Sequence, residues 1–355
     1  MTSSLPFPVS TRSPSTSDSP KLQTRALRGS ISFIGSRAKF LTQRARTTNL
    51  AVTLLAIVAF VSLYYNARHT WGNFFSQRDP SFIPPVPLSL SSTLTPAHQE
   101  LSHLVMIPGH AIWQGCDASH STQDKEWILQ DFQKDGHHVT TYLKHLTKGA
   151  EIAVRDPKAL LIFSGGQTRP DSTLTEALSY LRLSKFGNLF QQFQTQQTSS
   201  SSSNKGELKE FDRVTTEDYA MDSFQNVLFS IARFKEFTNH HPTSITIIGY
   251  GMKSRRFIDL HRKALRWPVQ AFEYIGIDND GETSMDYEGE KENGYKPFER
   301  DLYGCHDFLG RKRRTRNPYR RFHGYHSSAP ELRGLMEYCP KEGDKVYQGR
   351  LPWDV

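Results

Sequence analysis

Short apolar runs that contain or end in glycine recur through the middle of the chain. They cover residues 104–109, 159–166, 244–249 and 272–277. Continuous apolar runs of this length are typical of strands that are buried on both faces, as in a parallel sheet. The pattern therefore predicts at least four core strands.

Segments with helical spacing of apolar residues lie between these runs, at 125–146, 173–183, 217–237 and 255–265. The third has the widest apolar face, formed by Ala220, Phe224, Val227, Leu228, Ile231, Phe234 and Phe237. Thr215 or Thr216 could cap its start. Strands that alternate with helices predict an α/β fold with a Rossmann-like, doubly wound, mainly parallel sheet over residues 100–277.

A long apolar stretch without charge precedes this region, at residues 47–66. A helix of that length spans about 30 Å, the thickness of a bilayer core, so we predict one transmembrane helix. Residues 1–46 are basic and rich in Ser and Thr, and we interpret them as a disordered tail. Residues 67–99 contain several prolines, which predict a stiff linker.

Three other interpretations of the apolar stretch stay open: a cleaved secretory signal, a mitochondrial targeting region with or without an anchor, and a buried helix. For the single-pass anchor, Arg44 and Arg46 closely flank the N-terminal side, with six more basic residues before them. The positive-inside rule then predicts a cytosolic tail, with the body in the ER or Golgi lumen or outside the cell. A mitochondrial location is the alternative.

The net charge of +8 belongs to the tail. Residues 1–49 contain eight Lys or Arg and one acid, whereas the other 306 residues contain 36 basic and 35 acidic side chains. The nearly neutral body gives no reason to expect nucleic acid as a partner. The three cysteines exclude a disulfide scaffold and a four-cysteine zinc site. They leave one disulfide with a free thiol, or no disulfide.

Two further segments differ from the predicted domain in composition. Residues 191–205 are a low-complexity stretch of Gln and Ser, which we interpret as a disordered insertion. Residues 278–355 form a C-terminal extension that we expect to pack on the domain. Seven acids fall within 278–292 and seven basic residues within 311–321. These charges could pair with each other, or the basic run could bind anions or lipid headgroups.

The carboxyl ends of parallel strands meet at one edge of a sheet, where ligands bind in α/β folds. The residues that we expect to bind a ligand there are Gly109, Ser164, Gly165, Gly166, Gln167, Ser223, Gly251, Lys253 and Arg256. Glycine N–H groups and basic side chains together favour a phosphate-bearing or otherwise anionic ligand. Alternatively, each glycine forms only a tight turn. The spacing matches no standard dinucleotide or P-loop motif.

Candidates for catalysis near the same edge are His110, Glu176, Glu217, Asp222 and Asn226. Glu217 or Glu176 would act as a general base or bind a divalent ion, and Asp222 and Asn226 would orient substrate or water. His110 is a candidate because it directly follows the first strand. The acids could instead be helix-capping residues. The sequence identifies no cofactor and leaves metal use open.

The order of these motifs resembles domain-of-unknown-function family 218, the YdcF/SanA/ElyC-like proteins. The family's Ser-Gly-Gly turn corresponds to residues 164–166, and its Ser/Thr-Glu-Ala motif to residues 175–177. Glu217 and residues 222–226 match its Glu and its Asn/Asp-Thr/Ser-x-x-Asn signature. The resemblance covers roughly residues 102–277, and the C-terminal portion looks like the extension of fungal members.

This resemblance implies a Rossmann-like fold, frequent membrane anchoring and a nucleotide-like or polyprenyl-phosphate-type ligand. Lys253 stands where the family usually has His, and Pro108 replaces a glycine. We therefore expect a membrane-anchored enzyme that acts on a phosphorylated, nucleotide-linked or lipid-phosphate substrate. The alternative is a noncatalytic module that binds an anionic ligand or serves as a scaffold in envelope or secretory-pathway biogenesis.

Overall fold

The computed structural model describes residues 46–76, 86, 92–93, 98–134, 137–199, 210–281 and 283–354. These residues belong to two compact units, Met1–Asp79 and Pro80–Val355. Residues 1–45 of the predicted tail lie outside the described residues. So do most residues of the predicted linker and the end of the low-complexity stretch.

The described residues of the first unit form one long helix, α1, at Arg46–Ser76. Its segment Asn49–Arg68 is long and apolar enough to cross a membrane, and none of its most apolar window is buried within the protein. This agrees with a single-pass membrane protein. The helix also continues past the predicted end of the span at residue 66, because the sequence has no proline before Pro80 to stop it.

The described residues of the second unit form seven strands: β1 (His103–Pro108), β2 (Ile112–Trp113), β3 (Trp127–Ile128), β4 (Ala159–Ser164), β5 (Val214–Glu217), β6 (Ser244–Gly249) and β7 (Phe272–Gly276). Five of them form a parallel sheet in the order β5-β4-β1-β6-β7. β2 and β3 form a small antiparallel pair. The predicted α/β fold with a parallel sheet is therefore confirmed.

The helices of the second unit are α2 (His138–Arg155), α3 (Glu176–Phe186), α4 (Leu189–Ser199), α5 (Ser223–Thr238), α6 (Arg262–Leu265), α7 (Ser284–Glu290), α8 (Lys296–Arg300), α9 (Asp307–Thr315), α10 (Tyr325–Ser328) and α11 (Arg333–Met336). Wider π-helical turns precede α6 at Arg256–His261 and α8 at Lys291–Tyr295. Short 3-10 turns connect other elements, including Asp131–Gln133 and Gly251–Lys253.

Two apolar layers cover the two faces of the sheet. Along β1, Leu104 and Met106 belong to one layer, whereas Val105 and Ile107 belong to the other. This alternation follows from the two-residue period of a strand. The first layer contains α5 and much of the C-terminal segment after residue 297, and the second contains α2 and α3. The C-terminal segment therefore contributes to the core of the second unit.

The start of the third predicted helix is wrong. Residues Val214–Glu217 form β5, which pairs with β4, and the helix begins only at Ser223. Two consecutive threonines after a valine favour a strand, because β-branched side chains suit a sheet. Asp222, not Thr215 or Thr216, caps the helix, and its carboxylate accepts a hydrogen bond from the Gln225 N–H.

Two other segments also differ from their predictions. Within 125–134, the residues form β3 and short turns, and α2 begins at His138 and continues to Arg155. The predicted insertion 191–205 is helical up to Ser199, because α4 begins at Leu189. Glutamine is a good helix former, and Phe190 and Phe193 pack into the second core layer.

Candidate functional site

The candidate site is a cavity of about 1210 Å³ that includes the carboxyl ends of β1 and β6. From the central strand β1 the chain passes to β4 and β5 on one side, and it then crosses to β6 and β7 on the other side, so the strand order reverses at β1. In open α/β sheets this switch point is where ligands bind. Residues from α3, α5, α7 and α9 complete the wall of the cavity.

The cavity brings together eight of the residues that the sequence predicts for the site. They are Gly109, His110, Glu176, Asp222, Ser223, Asn226, Lys253 and Arg256. Among the described residues that line it, six other predicted residues are not found: Ser164, Gly165, Gly166, Gln167, Glu217 and Gly251. The structure therefore divides the predicted site into lining and supporting residues.

Glu176 explains why two of the loop positions are glycines. A side chain at Gly109 would place its Cβ 2.7 Å from Glu176 Oε2, and one at Gly165 would come within 2.8 Å of the same oxygen. Both distances are shorter than real contacts allow. The other oxygen, Oε1, accepts a hydrogen bond of 2.5 Å from the Thr168 hydroxyl. The two glycines thus let the Glu176 side chain lie across the strand ends at the cavity wall.

The backbone N–H groups of the glycine loops are used inside the protein. Gly109 N donates to Ser164 O over 2.7 Å, Gly165 N to Glu217 O over 2.9 Å, and Gly166 N to Ala220 O over 2.8 Å. Gln167 likewise donates its side-chain amide to Thr173 O at 2.5 Å. These four donors are therefore already bonded within the protein.

His110 and Lys253 make the central polar contact of the cavity. His110 Nδ1 lies 3.4 Å from Lys253 Nζ. Burial lowers the pKa of His110 well below its usual value, and the charge of Lys253 lowers it further. The imidazole is therefore neutral at pH 7, so Nδ1 accepts from the ammonium and Nε2 carries the proton. That Nε2 is buried and has no hydrogen-bond partner among the described residues.

Positive charge is in excess around the cavity. Its lining contains six cationic side chains, Arg169, Lys253, Arg256, Arg311, Lys312 and Arg316, and four carboxylates, Glu176, Asp222, Asp286 and Glu290. Arg256 pairs with Glu290 across 3.3 Å. Burial lowers the pKa of Lys253 to about 8, and neighbouring Arg256 also contributes to that shift. Burial, followed by Arg316 and Arg256, also lowers the pKa of Lys312.

The acid at the start of α5 belongs to a structural pair. Asp222 forms an ion pair with Arg313 of α9, and it also caps α5. Arg313 additionally donates to Tyr303 O. The neighbouring Ser223 hydroxyl lies 2.7 Å from His261 Nε2, and Asn226 Oδ1 accepts from the Ser164 hydroxyl over 3.0 Å. These bonds fix the start of α5 against the C-terminal segment and the sheet.

Glu217 is buried at the end of β5 and has four donors around it. It accepts from the Ser164 hydroxyl at 2.8 Å, from Tyr219 N at 2.8 Å, from Ala220 N at 3.3 Å and from the Tyr325 hydroxyl at 3.2 Å. Burial raises the pKa of this carboxyl to about 7. The prediction that Glu217 lies at the start of a helix is wrong, and its contacts are those of a structural residue.

Sequence reasoning missed an aromatic and histidine cluster behind His110. The Tyr250 hydroxyl is hydrogen-bonded to His138 Nδ1 over 2.7 Å, and both residues line the cavity together with Tyr142. His138 is buried at the start of α2. Gln133 joins the cluster through a 2.9 Å bond to the Tyr142 hydroxyl. The available signal was only that Tyr250 directly follows β6.

One group of side chains among the described residues has metal-ligand spacing: Cys305, His306 and Cys339. The two cysteines form a disulfide, and Cys116 is a free, exposed cysteine. Of the alternatives that the sequence left open, the structure has one disulfide and one free thiol. Disulfide sulfurs are not the thiolates that metal binding requires, so this group does not add a metal centre to the cavity.

Comparisons with known proteins give one informative relative. No family model matches the chain, and no solved structure matches it either. The chain is 31% identical over 288 residues to the uncharacterized protein YOR238W of Saccharomyces cerevisiae. The match covers 70% of this chain and 91% of the yeast protein. The chain therefore belongs to the same protein family as YOR238W.

Proposed function

We propose that this protein is a membrane-anchored enzyme that acts on a phosphorylated substrate, with the phosphate held by Lys253, Arg256 and Arg316. The observation that carries the proposal is the excess of cations in the cavity. After burial, Arg256 and Arg316 both lower the pKa of Lys253, so these like charges repel one another. A bound phosphate would remove that repulsion and accept charge-assisted hydrogen bonds.

His110 supports the same interpretation. A buried N–H group without a partner costs about 1–3 kcal/mol, so an acceptor atom of a ligand would stabilise the His110 Nε2–H. Because the imidazole is neutral, it would donate this hydrogen bond without adding another positive charge to the cavity.

Glu176 is the proposed catalytic carboxylate. It lines the cavity, and Thr168 holds one of its oxygens while the other lies over the two glycines. In this position it would take a proton from an attacking water or hydroxyl, or bind a divalent ion that neutralises the phosphate. We assign this role to Glu176 in place of Glu217, whose oxygens are saturated by four internal donors.

We also propose membership of domain-of-unknown-function family 218, on the motifs at residues 164–166, 175–177 and 222–226.

The orientation of the anchor is proposed from charge alone: the basic tail is cytosolic and the second unit lies in a secretory lumen or outside the cell. Protease treatment of intact microsomes tests this orientation. The second unit should be protected and the tail digested, and digestion of the second unit would reverse the assignment.

The function is tested on the full chain in detergent. Thermal shifts would be measured with inorganic phosphate, pyrophosphate, nucleotides, nucleotide sugars and polyprenyl phosphate, each with and without Mg²⁺ or Mn²⁺. A saturating ligand at 100 times its dissociation constant adds about 2.7 kcal/mol of stability, which such a scan detects. Any stabilising phosphate ester would then be incubated with the protein, and products would be followed by mass spectrometry.

Glu176→Gln is the decisive variant, because glutamine can still accept the hydrogen bond from Thr168 but cannot take a proton. We expect unchanged thermal stability, retained ligand binding and loss of turnover. Glu288→Gln, a substitution at an exposed acid of α7, is the matched control. Binding without turnover in the wild-type protein would favour the noncatalytic anion-binding module, and turnover that persists in Glu176→Gln would remove this residue from the mechanism.

A further inference from the structure

Three large apolar side chains at the cavity are exposed to solvent. They are Phe132 in the turn before α2, Met285 in α7 and Phe308 in α9, with exposed fractions of 72%, 85% and 44%. They come from three separate elements and line the same cavity as the cationic side chains. An exposed apolar rim around a charged interior indicates a ligand that carries both kinds of surface.

The cavity is also larger than a phosphate group requires. Its volume of about 1210 Å³ exceeds the roughly 300–1,000 Å³ that is typical of pockets for drug-sized ligands. Less exposed apolar residues line the same cavity: Met221, Met252, Phe257, Phe298 and Leu309. The wall thus combines apolar side chains with the cations.

We propose that the substrate is a lipid phosphate, whose phosphate monoester contacts Lys253 and Arg256 and whose hydrocarbon chain leaves over Phe132, Met285 and Phe308. The inference rests on the proposed function and narrows its substrate class. The phosphate satisfies the cations, and the chain covers the three side chains that water otherwise surrounds. A purely polar ligand, such as inorganic phosphate, would leave that rim exposed and gain nothing from it.

The presence of a membrane-compatible helix in the same chain supports this choice. Segment Asn49–Arg68 has the length and composition of a membrane span, and a chain anchored by it would be held at a lipid surface. A binding site for a lipid headgroup needs charge inside and apolar contacts at its mouth. These are the two features that the described lining residues combine.

The test compares one headgroup with and without its chains. The full chain would be placed in nanodiscs of neutral lipid and titrated with glycerol 3-phosphate, dioctanoylglycerol 3-phosphate and dioctanoylglycerol. We expect the lipid phosphate to bind at least about tenfold more tightly than glycerol 3-phosphate, because buried methylene groups add affinity. We expect no saturable binding of dioctanoylglycerol, which lacks the phosphate.

The triple variant Phe132→Ser, Met285→Ser and Phe308→Ser should bind the two phosphates equally and keep the wild-type affinity for glycerol 3-phosphate. Phe322→Ser is the control, because Phe322 is 76% exposed but is not among the described lining residues. The inference is overturned if the wild-type protein shows no preference for the lipid, or if the triple variant retains it. In either case binding of glycerol 3-phosphate leaves the proposed function standing, whereas failure of every phosphate to bind overturns both.

Discussion

His110 Nδ1 and Lys253 Nζ lie 3.4 Å apart at the end of the two central strands, although 143 positions separate them in the sequence. The first residue follows β1 and the second follows β6, so their contact marks the switch point of the sheet. Burial lowers the pKa of both groups. An anion would stabilise this arrangement, in which a neutral imidazole lies next to a group of like charges formed by Lys253, Arg256 and Arg316.

The first prediction concerns the pH dependence of anion binding. Because the pKa of Lys253 is about 8, the ammonium is charged at pH 7 and increasingly neutral above pH 8. Affinity for a phosphate should therefore fall as pH rises through 8, by up to about tenfold per pH unit. Isothermal titration between pH 7 and 10 measures this, and Lys253→Met should flatten the profile. A wild-type profile as flat as that of Lys253→Met would contradict this role.

The stability of the ligand-free protein should respond to the same group in the opposite direction. The unfolded chain has the ordinary lysine pKa of 10.5, so between pH 8 and 10.5 it binds more protons than the folded chain. By linkage, Lys253 makes the free energy of unfolding rise with pH in that window. Urea titrations of the wild-type protein and Lys253→Met at pH 8 and 10 should show that only the wild-type protein gains this contribution.

A second prediction separates Glu217 from catalysis. Its pKa is raised to about 7, so the folded chain binds more protons than the unfolded chain between about pH 4.5 and 7. This group's contribution to stability should be present below pH 4.5 and should be lost as pH rises through 7. Glu217→Gln should remove this dependence. It should also lower the free energy of unfolding by about 1–3 kcal/mol at pH 5. The two carboxyl oxygens face the backbone N–H groups of Tyr219 and Ala220, so the Gln NH₂ group would face one of these donors and leave it without an acceptor.

Denaturation at several pH values measures this effect, with Glu288→Gln as the exposed control. If Glu217→Gln keeps wild-type stability and loses turnover, the structural assignment is wrong and Glu217 is the catalytic acid.

The third prediction concerns the link between α5 and the C-terminal segment. Both side chains of the Asp222–Arg313 pair are largely buried. Removing one partner of a buried ion pair typically costs about 3–5 kcal/mol, since the other charge stays buried without compensation. Arg313→Met should lower the free energy of unfolding by about that amount, and Arg314→Met at the neighbouring exposed position should change it little. Equal effects of the two substitutions would show that the ion pair contributes no stability.

The fourth prediction concerns the disulfide between Cys305 and Cys339, which closes a loop with a sequence separation of 34 residues. A cross-link over a loop of this length stabilises by about 3–4 kcal/mol in the chain-entropy model. Cys305→Ser with Cys339→Ser should lower the free energy of unfolding by this amount, and dithiothreitol should no longer affect that variant. Cys116→Ser should behave as the wild-type protein. Two free thiols in the oxidised native protein beyond Cys116 would contradict the pairing.

The sequence predicted the fold where the pattern was unambiguous. The runs that became β1, β4 and β6 are buried on both faces, so their continuous apolar character identified them. β5 was not predicted, because it is short and includes the polar residues Thr215, Thr216 and Glu217. Its strand character depends on pairing with β4, which is a tertiary contact that local pattern cannot reveal.

The site was predictable only in part, for the same reason. The strand-end rule correctly brought His110 and Lys253 together, because parallel strands place their carboxyl ends at one edge. It could not distinguish lining from support, so Glu217 and Glu176 looked equivalent until their donors were known. The C-terminal segment also contributes cavity residues, such as Lys312 and Arg316. Their place in the wall depends on how that segment folds onto the sheet, which the local sequence pattern does not reveal.

The most direct test of the central claim is the affinity of the full-length protein for pyrophosphate, measured by isothermal titration at pH 7. Lys253→Met and Lys158→Met would be compared with the wild-type protein, because Lys158 is an exposed lysine at the opposite end of the sheet, before β4. A cation-rich cavity predicts saturable binding of pyrophosphate by the wild-type protein. The affinity should fall at least about tenfold in Lys253→Met, which is the loss expected for one charge-assisted hydrogen bond. It should stay unchanged in Lys158→Met. Absence of binding by the wild-type protein, or an equal loss in both variants, would contradict the account.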